Sequence, residues 1–353
     1  MTDSPSLASA SEPSEGMACP NNNSKQDHHE LDTNSNNHAV QWERQGEWLV
    51  KLRAHKTKLV QEQGLQGLEL WEAMATLSLN HKIASFKTRN NRCAHCWHDE
   101  RYCMCARLSK PDYLQQHQCK IKLCLLMHHK EYFCAGNSAK ILLHLFPEMT
   151  ELYLYGKTGE FDRLVEEITQ WSTRTMILWP GADALSVPEF LARQDIGGQS
   201  KSHQEDTTAT IRVVVLDATY SQARNMYKAL SKRLENTKRE GRETIIPTVA
   251  VNPLTSSVFH RAQKNYGQAH KQRQKSDSNN EQQNDDSTNK KQFATRISTA
   301  EACGWLLFEL GFPQSVPDAI IRAVKLNNDA LAYARKRQQH YGADDDVDPK
   351  QDG

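Results

Sequence analysis

Four cysteines fall within thirteen residues, as Cys93-Ala-His-Cys96 followed by Cys103-Met-Cys105. Two close thiolate pairs on adjacent short turns can converge on one ion at about 2.3 Å, the arrangement of tetrahedral Zn²⁺. His95 and His98 offer substitute ligands, but Cys93, Cys96, Cys103 and Cys105 complete a shell alone and leave no position for water. A structural zinc is therefore expected. The alternative is a set of reduced, partly buried thiols. The other five cysteines, Cys19, Cys119, Cys124, Cys134 and Cys303, are scattered, with core packing or exposure as their default.

A second candidate is Asp217. Ile211-Arg-Val-Val-Val-Leu216 is the clearest strand in the chain, and Asp217 ends it just before a helix expected from Ser221 to Leu230. Ligands of open parallel sheets bind beyond the C-terminal ends of the strands, where such an acid can do chemistry. Equally, Asp217 can simply complement the helix N-terminus, with Thr219 or Ser221 as the cap.

The elements that must position these groups can be read from patterning. Strands are expected at 121–127, 152–155 and 175–179 as well as 211–216, and helices at 138–146, 298–310 and from Pro317 to about Arg335. Ser298 or Thr299 caps the second of these helices, with Glu301 completing a capping box. Strands alternating with helices imply an α/β fold, a parallel sheet with helices on both faces. Ahead of it, Trp48, Leu49, Leu52, Leu59, Leu65, Leu68 and Trp71 recur at helical spacing, broken near Gly64–Gly67. The expected organisation is a disordered tail at 1–41, a helical segment at 42–90 and a zinc module at 91–110. A catalytic domain at 111–338 comes next, with a polar insert at 270–292, and then an acidic tail at 339–353.

Mean hydropathy is −0.74 and hydrophobic residues make up 38%, low enough to leave some segments outside any core. Residues 1–40 hold six acids against one lysine, and residues 343–353 hold five against one. With +1 overall, the body between them carries +10. A basic body suits a polyanion such as RNA, though a solvated surface explains it as well. No basic start leads into an apolar run, and no apolar stretch approaches roughly 18 residues, so a cytoplasmic or nuclear protein without membrane partners is expected. The sequence specifies no oligomeric state.

Five features stand in a recognisable order. They are the cysteine cluster; a strand ending in His128 with Glu131 beyond it; Leu178-Trp-Pro-Gly-Ala-Asp-Ala184; Asp217-Ala-Thr-Tyr220 with Gln222-Ala223; and Ser298-Thr-Ala-Glu-Ala302. Together they resemble the DTW-domain proteins, the tRNA-uridine aminocarboxypropyltransferases, over about residues 91–310. Three positions depart from that pattern. Tyr220 replaces the family's Trp, His129 stands where relatives often have Pro, and Asn137-Ser138 replaces a Thr-containing turn.

The resemblance implies a SPOUT-like fold with a trefoil-knotted cofactor site, S-adenosylmethionine as co-substrate and tRNA as partner. It implies Asp217 as general base, and Trp179, Pro180, Gly181, Thr219 and Tyr220 around the adenosyl group. Thr299 and Glu301 would meet the amino-acid end, unless they only cap the helix. His128 and Glu131 would line the substrate side, and Arg224, Arg261 and Arg296 would contact tRNA phosphates. Two other classes remain: a SPOUT-like RNA methyltransferase, and a non-catalytic zinc-containing RNA-binding protein.

Overall fold

The computed structural model describes residues 34–88, 91–111, 121–171, 174–196, 210–239, 245–251 and 297–341. Of its two compact units, Met1–Arg44 contributes only the first turns of one helix to these residues, and Gln45–Gly353 holds the remainder.

Among the described residues five strands form one parallel sheet: β1 (Ile121–His128), β2 (Thr150–Tyr155), β3 (Thr175–Leu178), β4 (Ile211–Asp217) and β5 (Thr248–Val249). Their order is β2-β1-β4-β3-β5. β1 and β4 lie at the centre and are apolar on both faces, as inner strands of a parallel sheet must be. On one face Leu123, Leu125, Met127, Val213 and Val215 pack under α3 (Lys140–Leu145), α5 (Val187–Ile196), α7 (Thr299–Glu309) and α8 (Ser315–Tyr341). On the other, Cys124, Leu126, Val214 and Leu216 meet Leu164 and Ile168 of α4 (Glu160–Gln170) and Met226 and Leu230 of α6 (Tyr220–Arg239). The expected α/β class, with helices on both faces, is what the chain adopts.

Among the described residues α4, α5 and the two-residue strand β5 come in addition to those expected, as do two 3₁₀ turns, Glu100–Tyr102 and Cys105–Arg107, in the cysteine module. β5 is too short to leave a periodic signal. It exists because Ile177 and Leu178 pair with it.

The N-terminal helical segment is a pair, α1 (Asn34–Gln63) and α2 (Gly67–Thr88). They break where expected, since Gly64 and Gly67 both take positive φ and the Leu65 amide turns back onto the Leu59 carbonyl at 3.2 Å. α1 begins inside the stretch whose composition reads as a tail. The expected insert at 270–292 lies outside the described residues, as does the expected 339–353 tail beyond Tyr341; residues 339–341 instead continue the last helix. α2 seats on the sheet through Ala75 and Leu79, and its Thr76 hydroxyl reaches the Gly156 carbonyl at 3.3 Å. Gly156 must be glycine: φ is +99°, and an added Cβ would stand 2.7 Å from His129 Nδ1. No helix among the described residues is long and apolar enough to cross a membrane.

Candidate functional site

The connections after β1 and β4 run in opposite directions along the sheet. From β1 the chain goes outward to β2; from β4 it passes over β3 to β5. The crevice at such a divergence is where ligands of parallel sheets sit. Asp217 ends β4 there, in register with Met127, so His128 at the end of β1 is its neighbour across the switch.

Asp217 is buried, with 4% of its surface exposed. Burial raises its pKa to about 6, and the nearby charge of Glu131 adds to the rise. Two neutral groups oppose this. Asn137 Nδ2 donates to Asp217 Oδ2 at 2.5 Å, and the side chain of Thr299, in the first turn of α7, also bonds the carboxylate. Asn137 is itself held, its Oδ1 accepting from the Lys140 amide at 3.0 Å. It is the residue that sequence reasoning missed. The only signal was that the Asn137-Ser138 turn departs from the family pattern.

Asn137→Leu would remove a donor to the charged form. The apparent pKa of Asp217 should then climb above 6, read as an upward move of the acid limb of any activity profile. An unchanged limb would show that the Asn137 contact is incidental.

His128 is a neutral imidazole. Burial brings its pKa down to about 4, His129 and Lys130 push the same way, and its Nδ1 accepts from the Lys130 amide at 3.2 Å. The proton therefore sits on Nε2, making His128 a hydrogen-bond donor rather than a base at neutral pH.

The expected capping box at 298–301 forms with Ser298 as N-cap. Ser298 Oγ accepts from the Glu301 amide at 3.3 Å, and Glu301 Oε2 accepts from the Ser298 amide at 2.9 Å. Glu301 therefore has a structural task of its own. At α6 the cap is Thr219, not Ser221: Gln222 Oε1 accepts from both the Thr219 amide (3.0 Å) and hydroxyl (2.7 Å).

The loop after β3 is tied to this end of the sheet through Trp179. Its amide bonds the Val249 carbonyl at 3.0 Å, and its indole stacks on Tyr227 at 4.8 Å and lies nearly parallel to Tyr220 at 6.4 Å. Arg224 covers Tyr220 with its guanidinium 4.8 Å from the ring centre. Pro180 and Gly181 are exposed on that loop. Asp217, Thr299, Glu131, His128 and the Trp179–Tyr220 pair thus gather at one end of the sheet. Arg261 and Arg296 lie outside the described residues.

The four cysteines converge. Their sulfurs all lie within 4.8 Å of one another, with Cys93 and Cys105 at 3.6 Å and Cys96 and Cys103 at 3.7 Å. A tetrahedron with metal–sulfur bonds of about 2.3 Å has edges of about 3.8 Å, so the spacing fits zinc, whereas a disulfide would need about 2.05 Å. All four are free thiols. The cluster shares its protons unevenly: hydrogen bonds from Cys105 and then Cys96 pull the Cys93 thiol down, while burial pushes Cys103 up and the bond to Cys93 pushes Cys105 up.

His98 is no ligand. It is 2% exposed, and its Nε2 is used on Asn327 Oδ1 at 2.9 Å, which docks the module onto α8. Lys140, 1% exposed, sets its ammonium over the Trp97 ring at 5.8 Å and donates to the Ala135 carbonyl. Burial lowers its pKa to about 7, and the nearby cysteines oppose that drop, so near neutral pH its charge depends on the state of the cluster.

A parallel α/β domain with an acid at its switch point, joined to a four-cysteine module that could hold a metal, defines the class of protein. The DTW domain model matches residues 90–330, and the chain belongs to the DTW-domain family. That family is one of tRNA-modifying, aminocarboxypropyltransferase-related proteins. Comparisons with curated proteins and with solved structures return no match.

Proposed function

We propose that this chain transfers the 3-amino-3-carboxypropyl group of S-adenosylmethionine to N3 of a uridine in tRNA. The observation that carries the reading is Asp217: a buried carboxylate with its pKa near 6, set at a strand end between neutral donors. Uridine N3–H is a weak acid, and N3 must lose its proton to become a nucleophile. A carboxylate with a raised pKa is a better base than an ordinary aspartate and is still ionised at neutral pH.

The co-substrate supplies an electrophilic carbon beside a sulfonium, and methylthioadenosine is the leaving group. The new bond joins N3 to that carbon, the carbon–sulfur bond breaks, and the N3 proton passes to Asp217 Oδ. Asn137 and Thr299 hold the carboxylate in place, so that positioning contributes alongside basicity. His128, donating from Nε2, and Glu131 line the uridine side. Trp179, Tyr220 and the backbone at Pro180 and Gly181 take the adenosyl group, with Thr219 shaping the turn between them. Thr299 and Glu301 meet the amino-acid end at the first turn of α7. Arg224, with Arg261 and Arg296, faces the tRNA phosphates, where forked donors suit phosphate oxygens.

The four-cysteine module holds Zn²⁺ structurally and takes no part in the transfer. The SPOUT-type trefoil knot belongs to this proposal too. It is supported by the parallel sheet and by the return of α7 to Asp217, while the 252–296 chain that would complete it lies outside the described residues.

The test incubates the purified chain with S-adenosylmethionine and unmodified tRNA. Mass spectrometry should find aminocarboxypropyluridine and methylthioadenosine in equal amounts. S-adenosylhomocysteine with a methylated base would make it a methyltransferase, and absence of any nucleoside change would sink the enzyme reading.

A further inference from the structure

A cavity of about 450 Å³ opens between the α1–α2 pair and the cysteine module, and Asp217 is not among its lining residues. Its wall combines Trp48, Phe86 and Phe133 with His81, Lys82 and Arg92, and among the described residues no acid lines it. The rings form two stacked pairs. Phe86 and Phe133 stack at 4.0 Å with planes 5° apart, and Trp48 stacks on His81 at 3.8 Å and 7°. Lys82 directs its ammonium to the Lys130 carbonyl at 2.8 Å and toward Cys134 Sγ at 3.5 Å.

Backbone strain marks the same place. Among the described residues two non-glycine positions have positive φ, Trp97 (+61°) and Phe133 (+58°). The two rings meet edge to face at 5.6 Å. A bulky residue in that region is strained, and such strain gathers where a side chain must be held for a ligand. The charge also extends past the cavity. Between Glu47 and Glu62 α1 carries Lys51, Arg53, Lys56 and Lys58, all exposed, with Lys58 paired to Glu62 at 3.7 Å. Phe133 lies four residues before Asn137, so one turn connects the cavity wall to the partner of Asp217.

Aromatic rings edged by Lys82, His81 and Arg92, with no carboxylate among the lining residues and Asp99 reaching only Arg92 from beside the groove, fit an unpaired nucleotide. The base stacks and the phosphate meets Lys or Arg. We infer that this groove binds an unpaired nucleotide of the RNA substrate, other than the reacting uridine. The helical segment ahead of the family domain would then hold RNA while the Asp217 site acts on it. The inference rests on the proposed RNA-modifying function.

The test measures binding of fluorescein-labelled unmodified tRNA to the full chain by anisotropy at one fixed ionic strength. Trp48→Ala combined with Lys82→Gln should weaken binding roughly tenfold or more, the size of one lost stacking contact and one lost phosphate contact. The matched charge change Lys325→Gln, at an exposed position on α8, should leave affinity within twofold. If the double variant melts early, Lys82→Glu alone serves, and charge reversal should weaken binding by a similar factor. Single-stranded RNA should compete for the wild type far better than a duplex of the same sequence.

Groove variants that bind tRNA within twofold of wild type overturn the inference, as does equal competition by duplex. Failure here is separable from failure of the enzyme reading. A wild type that modifies tRNA alongside unaffected groove variants loses only the groove. A wild type that binds RNA through the groove yet makes no product loses only the chemistry.

Discussion

Asp217→Asn should lower the turnover of aminocarboxypropyl transfer by about 10²–10⁴-fold, the usual contribution of a positioned base, while the folded protein becomes more stable at neutral pH. The two effects have one cause. In the folded chain the carboxyl ionises near 6, against an ordinary 3.8, because its charged form is desolvated. Between those pH values the native state binds more proton than the unfolded state. Stability therefore falls as pH rises through this window, and the full penalty, on the order of 3 kcal/mol, is present above 6. Asn carries no such penalty and can still accept from Thr299 or Asn137.

The variant should thus melt higher than wild type at pH 8, with the difference shrinking toward pH 4. The wild-type rate should rise with pH through about 6, and that limb should vanish in the variant's residual activity. Chemical denaturation at several pH values and a pH–rate profile make the comparison. Turnover within a few-fold of wild type would remove Asp217 from the reaction. Lower stability at pH 8 would mean that the buried carboxylate is compensated in some other way.

Cys96→Ser should abolish stoichiometric zinc and destabilise the protein by about 3 kcal/mol or more, roughly 10 °C in Tm for a domain of this size. Metal analysis of the wild type should give one zinc per chain. The effect extends beyond the module because the cysteine turns are keyed into the core. His98 bonds Asn327 on α8, Trp97 packs against Tyr132 and Phe133, and Met104 is 1% exposed. A chelator should reproduce the loss in the wild type without substitution. Wild-type protein holding well under one zinc, with unchanged melting in chelator, would reduce the cluster to four packed thiols.

What could be read from the chain itself was whatever chemistry is local. β1 and β4 announce themselves because a strand buried on both faces must be apolar at every position, as Leu123 to Met127 and Val213 to Leu216 are. The cysteine module was legible because all four thiols lie within thirteen residues, so spacing alone limits how they can converge. The Ser298–Glu301 box was legible for the same reason, being closed within one helical turn.

Contacts between distant residues leave no such period, and the tertiary structure decided them. Asn137 reaches Asp217 across eighty positions and His98 reaches Asn327 across 229. A side-chain hydrogen bond constrains neither residue's neighbours in sequence. The strand β5 exists through its partner β3, and the site through the order in which the sheet assembles. An aspartate at the end of a strand is common; one buried between Asn137 and Thr299 at the switch point depends on where the whole chain goes.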